Sequence, residues 1–199
     1  GGTGRSIIMS FRNTLVMVII LALLGGFIFY LQTSQKKEPT ESPPDVWSYE
    51  EDDINHITMR LPREKKAIAF AKVVKGNDYN WFIDSSPRKP ISLKRWGGIV
   101  LLLSGPQSRR VIANQVTDMD LYGLNTPSLE ISLVIGKKKE NLTVIVGDRT
   151  PDDKAVYVIL KEHKTVYLLD HTWYEVMIRL VREPPEEKVR PRISLETTA

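Results

Sequence analysis

The sequence predicts an α+β protein, in which a single N-terminal transmembrane helix precedes a mainly antiparallel β domain with two covering helices. Three observations lead to this fold class. An uncharged apolar run fills residues 15–31, most of the later chain alternates between apolar and polar residues, and two stretches carry apolar residues at helical spacing. Many strands with short turns and few helices are typical of an antiparallel sheet covered on one face.

The apolar run is long enough to be a membrane anchor. It reads LVMVIILALLGGFIFYL from Leu15 to Leu31, and a helix of that length reaches about 26 Å, the low end of a membrane span. A cleaved signal peptide is less favoured because no small-residue cleavage pattern follows. A buried core helix is less favoured because the run is apolar all round. We therefore predict a retained signal anchor over residues 15–32, with the lipid bilayer as one partner.

Five residues of the anchor are candidates for contact with another membrane helix. Gly25 and Gly26 remove side chains from one side of the helix, so a second backbone can approach closely. Phe27, Phe29 and Tyr30 then supply bulky groups that suit a partner or a pigment-like ligand. The alternative is that the glycines only make the helix flexible, since glycine is common in membrane helices.

The rest of the chain divides by composition. Pro39, Pro43, Pro44 and an acidic run at 50–53 are typical of an extended linker. The predicted parts are residues 1–14 as a cytoplasmic N-terminal segment, 15–32 as the anchor, 33–53 as a Pro-rich acidic linker, 54–182 as an extracytoplasmic α+β domain and 183–199 as a polar tail. Met9 reads as a natural start, with an upstream extension before it.

Alternation and helical spacing place the elements of the domain. We predict strands over residues 54–61, 66–74, 81–83, 129–135, 142–146, 156–160 and 166–169, with a loop over 147–153. One helix is predicted over 91–103, with Leu93, Trp96, Val100 and Leu103 on one face, although Gly97 and Gly98 weaken it. A last helix follows Asp170 as its N-cap, or begins with Thr172 and Glu175 as a capping box. The large aromatic residues Trp81, Trp96, Tyr122 and Trp173 are expected to share one core.

The most distinctive motif reads DLYGLNTP over residues 120–127. Together with Trp81-Phe82-Ile83, Val146-Gly147, Thr150-Pro151 and Val166-Tyr167-Leu168, it resembles an uncharacterised bacterial family of signal-anchored extracytoplasmic domains with a YGL…P motif. The resemblance covers most of residues 9–182 and implies no established activity. Family members are often encoded near gliding-type ABC transporter components.

The resemblance also implies an orientation. Arg5 and Arg12 precede the apolar run and Lys36 and Lys37 follow it, so the count of positive charges alone leaves the orientation open. An extracytoplasmic domain places the N-terminus inside, which makes the chain a single-pass protein of the bacterial cytoplasmic membrane.

The YGL motif has a structural interpretation that needs no catalysis. Gly123 can form a turn in a conformation that is costly for other residues, while Tyr122 and Leu124 pack beside the next strand and Pro127 starts it. The functional alternative is a corner on which a partner docks.

The sequence predicts no catalytic, cofactor-binding or metal-binding residues. Cysteine is absent, which excludes disulfides, thiolate metal sites and cysteine nucleophiles. The three histidines lack zinc spacing, and the loop carboxylates lack the spacing of a calcium loop; these residues are His56, His163, His171, Asp148, Asp152 and Asp153. Neither a nucleophile elbow around Ser85 and Ser86 nor a glycine-rich phosphate loop is present.

Charge excludes one class of partner and leaves another open. The net charge of +4 is too small to indicate a nucleic-acid partner. Two basic clusters, Lys137–Lys139 and Arg109–Arg110, can touch anionic headgroups or an acidic partner, although solvated turn charges are the simpler interpretation.

These observations favour a non-enzymatic, membrane-anchored accessory or scaffold subunit. Its extracytoplasmic domain would brace or dock onto a larger integral membrane complex: an ABC-type transporter, or a respiratory or photosynthetic assembly. The alternative is a tethered extracytoplasmic domain that binds a ligand or catalyses a hydrolysis.

Overall fold

The alternating segments form one antiparallel sheet in the computed structural model, which describes residues 11–34, 44–76 and 78–187. The described strands are β1 Ile54–Leu61, β2 Lys66–Lys75, β3 Asp78–Ile83, β4 Lys89–Pro90, β5 Arg110–Ala113, β6 Leu129–Ile135, β7 Glu140–Arg149, β8 Ala155–Leu160 and β9 Val166–Asp170. Their order across the sheet is β4-β3-β2-β1-β6-β7-β8-β9-β5. The predicted α+β class with an antiparallel sheet is therefore confirmed.

Four strand predictions need correction, the first being that β3 begins at Asp78 rather than at Trp81. The short strands β4 and β5 were not expected, because two to four residues are too few to show alternation. The predicted loop over residues 147–153 is wrong in its first part, since β7 continues to Arg149. The pairing of β7 with β8 shifts register between Val146 and Arg149, and such a bulge breaks the alternation on which the prediction depends.

The domain has three helices in its described part where two were predicted: α2 Leu93–Trp96, α3 Ile99–Ser104 and α4 His171–Arg182. The single helix over 91–103 is wrong because Gly98 adopts a φ of +80°, which ends α2 and starts α3 in a new direction. Leu93, expected on the buried face, is 78% exposed. One-turn 3-10 helices also occur, at Glu51–Asp53, Pro62–Glu64 and Asp120–Tyr122.

Of the two N-termini predicted for α4, the structure has the one with Asp170 as the N-cap. The Asp170 carboxylate accepts a hydrogen bond from the Thr172 backbone N–H at 2.8 Å, so Asp170 is the N-cap. The Thr172–Glu175 capping box is wrong, because the Glu175 carboxylate instead contacts Arg149 and His171.

Two clusters of apolar side chains lie on opposite faces of the sheet. The main core packs between one face and helices α3 and α4, and contains Trp81, Trp96 and Trp173 as predicted. Tyr122 is different, since it packs in a second cluster with Tyr157. Alternation explains the separation, because β8 directs Val156, Val158 and Leu160 to the main core and Tyr157 and Ile159 to the second cluster.

The described residues of both predicted flanks make contacts with the domain. Within the predicted linker, Val46 and Trp47 are buried, and the Trp47 indole donates to the Leu103 carbonyl at 2.8 Å. In the predicted tail, the Glu187 backbone N–H donates to Pro90 at 3.0 Å. The described domain therefore includes residues between 44 and 53, which their composition assigned to the linker. The other residues of these two segments, 35–43 and 188–199, lie outside the described part.

The chain separates into two compact units, Gly1–Glu41 and Ser42–Ala199. The described element of the first unit is α1, Phe11–Ser34, whose described side chains between residues 14 and 27 are exposed. In the described part of the chain, no helix combines the length and the apolar character needed to cross a membrane. Of the predicted N-terminal segment 1–14, residues 11–14 belong to α1 and residues 1–10 lie outside the described part, as do the side chains of residues 11–13 and 28–34.

Candidate functional site

The YGL motif forms a tight turn at the end of a 3-10 helix. The backbone N–H of Gly123 donates to Asp120 at 3.0 Å, and that of Leu124 donates to Met119 at 3.0 Å. Gly123 has a φ of +66°, the left-handed conformation predicted for it. The Asn125 amide donates to the Asp120 carboxylate at 2.8 Å, which closes the turn on itself. Residues 120–127 are called the YGL corner below.

The YGL corner lies against the bulge of β7. A β-carbon on Gly147 would be 1.9 Å from the Tyr122 carbonyl oxygen, and one on Gly123 would be 2.4 Å from the Asp148 carboxyl carbon. Gly147 therefore lets the backbone of the corner approach β7 closely, and Gly123 leaves room for the Asp148 side chain. The Ser128 hydroxyl adds a hydrogen bond to the Gly147 carbonyl at 2.6 Å.

Arg63 joins the corner to the β1–β2 hairpin. Its guanidinium donates to the Thr126 carbonyl at 2.8 and 2.6 Å, and to Asp148 Oδ1 at 2.6 Å. Both charged side chains are exposed, so the ion pair alone contributes little free energy. The Arg63 guanidinium nevertheless holds the Thr126 carbonyl and the Asp148 carboxylate, which belong to two other segments, in a defined position relative to the hairpin.

The corner directs its apolar side chains in two directions. Tyr122 packs edge-on against Tyr157, with ring centroids 5.0 Å apart, and Leu124 is buried in the same second cluster. Leu121 points away from the cluster and is 73% exposed. Pro127 lies two residues before β6, which begins at Leu129 rather than at the proline. The result is a braced turn that presents one leucine to solvent.

The three loop carboxylates do not converge. Asp148 pairs with Arg63, and Asp153 lies 3.3 Å from Arg149. Asp152 accepts from the Thr150 hydroxyl at 2.5 Å, and this bond is the main reason that the pKa of Asp152 lies below its usual value. In the described ranges, no group of three or more histidine, aspartate or glutamate side chains is arranged to hold a metal ion.

The structure also forms a polar row that sequence reasoning missed. His56 Nε2 lies 3.0 Å from Asp84 Oδ2, and Thr58 Oγ1 lies 3.5 Å from His56 Nδ1. Asp84 also accepts from Arg88 at 3.2 Å. The bond with His56 is the main cause, and that with Arg88 a further one, of the lowered pKa of Asp84. His56 and Asp84 are 28 positions apart in the sequence and meet only because β1 and β3 both pair with β2, so no local sequence pattern predicts this row.

Helices α2 and α3 leave three leucines exposed: Leu93, Leu101 and Leu102, called the leucine ridge below. Beside Leu101 and Leu102 runs a shallow groove of about 370 Å³, whose floor includes Leu169 and Trp173. The Trp173 indole donates to the Leu102 carbonyl at 2.9 Å, which attaches the ridge to α4. Sequence reasoning placed Leu93 on the packed face of a single helix and did not single out Leu101 or Leu102, so it missed the ridge.

The anchor residues singled out by the sequence lie in α1. Gly25 and Gly26 are exposed, and a β-carbon on either would meet no described atom within 4 Å. Phe27 is also exposed. The side chains of Phe29 and Tyr30 lie outside the described part.

Residues 81–177, from β3 into α4, match a family model described as a domain of unknown function (DUF4340). This match supports the predicted resemblance to an uncharacterised family. It includes the YGL corner and the leucine ridge but not β1 and β2, and so excludes Arg63 and His56. No curated protein and no solved structure matches the chain.

Proposed function

We propose that this chain is a non-enzymatic, membrane-anchored accessory or scaffold subunit whose extracytoplasmic domain docks onto a larger membrane protein complex. An ABC-type transporter is the first candidate for that complex, and a respiratory or photosynthetic assembly the second. The observation that carries the proposal is the YGL corner, a rigid turn that holds Leu121 exposed.

Rigidity makes the corner suitable for recognition. Binding is weakened when flexible groups must become ordered, and a preorganised surface avoids much of that loss. Here the backbone is fixed from three sides, by Gly147, by Arg63 and by the packing of Tyr122 on Tyr157. Next to Leu121 is a small hollow of about 130 Å³ that Ala113 and Val116 help to line. A partner would meet a projecting leucine beside a recess.

The anchoring part of the proposal depends on α1. Residues 15–31 carry no charged side chain, and the side chains described between 14 and 27 are exposed, as expected of a helix that faces lipid. With the N-terminus inside, protease added to intact spheroplasts should remove the domain and spare the anchor. Full protection of the domain would overturn this orientation.

The docking part can be tested with one charge substitution. Leu121→Asp should reduce recovery of co-purifying membrane subunits from a mild-detergent pull-down of the full chain. Val74→Asp is the matched control, because Val74 is a similarly exposed apolar residue on β2. Equal recovery with both variants would contradict docking at the YGL corner. A wild-type chain that purifies alone would contradict the accessory function itself.

A tethered hydrolase is the second candidate, and the Thr58–His56–Asp84 row favours it. A hydroxyl, an imidazole and a carboxylate in sequence are the parts of a nucleophilic triad. The row is the weaker candidate because 3.5 Å is at the outer limit of a hydrogen bond and Asp84 is shared with Arg88. Turnover of p-nitrophenyl acetate that disappears in both Thr58→Val and His56→Gln, but not in Arg88→Gln, would favour the hydrolase.

A further inference from the structure

We infer that the partner of the YGL corner is a basic protein segment, in which an aliphatic side chain lies beside lysine or arginine. This inference rests on the proposed function, because it names the chemistry of the partner that docks at that corner. Its basis is the combination of the exposed Leu121, the recess next to it, and the acidic side chains of Asp118 and Asp120.

The apolar part of the corner both projects and recedes. Leu121 is 73% exposed, and the recess of about 130 Å³ beside it is bordered by Ala113 and Val116. Pockets for drug-sized ligands measure about 300–1,000 Å³, so this recess suits a single side chain instead. A protein segment that covers Leu121 and inserts an aliphatic side chain into the recess removes both apolar surfaces from water.

The charge around the projecting leucine is acidic. Residues 113–128 contain two charged side chains, Asp118 and Asp120, and both are exposed. The Arg63 and Asp148 side chains next to the corner form an ion pair and so neutralise each other. Acidic groups at the border of an apolar contact favour a partner with basic groups and increase its rate of association.

Both carboxylates are held in place by the turn itself. Asp118 Oδ1 accepts from the Asp120 backbone N–H at 3.0 Å, and Asp120 Oδ1 accepts from the Asn125 amide at 2.8 Å. Among the described contacts, Oδ2 of each carboxylate makes no hydrogen bond. A guanidinium or ammonium group can therefore bind these oxygens while the turn stays intact.

One basic residue also adjoins the recess. The Val116 backbone N–H donates to the Lys164 carbonyl at 2.9 Å, and Lys164 is exposed. The two aspartates outnumber this lysine, and the Arg63–Asp148 pair adds no net charge. The corner therefore keeps a negative charge toward its partner.

Photocrosslinking of the full chain in its native membranes identifies the chemistry of the partner. Leu121 would be replaced by p-benzoylphenylalanine, and the crosslinked peptides would be sequenced by mass spectrometry. The crosslinked segment should contain aliphatic residues next to lysine or arginine. The same photoreactive residue at Val74, an exposed apolar position on β2, is the control and should give little of this product.

A charge substitution then tests the acidic side chains. Asp118→Asn with Asp120→Asn keeps the oxygens that accept within the turn and removes both charges. The crosslink yield at low salt should fall about fivefold, as expected for the loss of two exposed ion pairs. High salt should lower the yield of the unsubstituted chain and have little effect on the double variant. Asp152→Asn with Glu162→Gln is the matched control, because it removes the same net charge elsewhere and should leave the yield unchanged.

The outcomes separate this inference from the proposed function. A crosslink from position 121 no stronger than that from position 74 would overturn docking at the YGL corner and this inference with it, as would a crosslink to lipid alone. A strong crosslink to a protein segment without lysine or arginine would overturn this inference and leave docking intact. Equal losses in the two charge variants would also overturn it, because binding would then follow net charge rather than the corner.

Discussion

The Tyr122 carbonyl oxygen occupies the space that a β-carbon on residue 147 would need, since the two atoms would be 1.9 Å apart. This relationship joins the YGL corner to β7 through backbone alone. Because the contact involves no side chain, it places the turn without depending on rotamers. This contact holds the backbone next to Leu121 together with the side-chain contacts of Arg63 and Tyr122.

Gly147→Ala should destabilise the domain and displace the YGL corner. The added methyl group meets a carbonyl that is part of a turn, so backbone must move, and overpacking of this kind costs about 1–3 kcal/mol. Denaturant unfolding of the purified full chain measures the loss. Gly97→Ala is the control, because its nearest contact, Leu93 O at 3.4 Å, is an ordinary one. A Gly147→Ala chain as stable as Gly97→Ala would contradict the close approach.

Trp173→Ala should cost about 3–5 kcal/mol, the range for truncating a large buried aromatic residue. Trp173 packs edge-on against Trp47, with ring centroids 6.3 Å apart, and attaches α4 to α3 through its indole N–H. Trp173→Phe keeps most of the packing and loses the hydrogen bond, so a smaller loss is expected. An unchanged melting temperature for Trp173→Ala would show that α4 is not docked.

The cap of α4 should make stability depend on acid pH. The pKa of Asp170 is lowered, mainly by the hydrogen bond from the Thr172 backbone N–H. The ionised carboxylate is therefore favoured in the folded state. Its contribution is present above the unfolded pKa of about 4 and is lost as the pH falls through the lower folded pKa.

Asp170→Asn retains a capping oxygen but cannot titrate. The difference in free energy of unfolding between wild type and Asp170→Asn should therefore shrink as the pH is lowered from about 4. Asp170→Ala removes the cap and should cost about 0.5–2 kcal/mol near neutral pH. Urea unfolding of the three chains at several pH values gives both quantities. Parallel pH curves for wild type and Asp170→Asn would contradict the assignment.

Features that depend on residues close in sequence were predicted correctly, and features that depend on residues far apart in sequence were missed. Strand β6 was predicted with its bounds, because every second residue from Leu129 to Ile135 is apolar and buried. The burial of Trp47 was missed because its neighbours in sequence have the polar, proline-rich composition of a linker. The contacts of Arg63 were missed for a different reason. Thr126 lies 63 positions and Asp148 lies 85 positions further along the chain, and no local pattern encodes contacts between residues so far apart.

The last prediction concerns Gly25 and Gly26, where α1 presents bare backbone. Helices in lipid associate through close packing, since leaving lipid gains little hydrophobic free energy. In the described part of the chain no atom fills the space beside either glycine, so another helix can approach there. Under the proposed function, Gly25→Leu with Gly26→Leu should fill this space and reduce co-purification with the proposed host complex, and the apolar changes should leave the proposed membrane insertion intact. Leu23→Phe with Leu24→Phe is the control, since it adds bulk elsewhere on the helix and leaves the glycines open. If the double leucine variant co-purifies at the normal stoichiometry, recognition resides in the outer domain and α1 serves only as a tether.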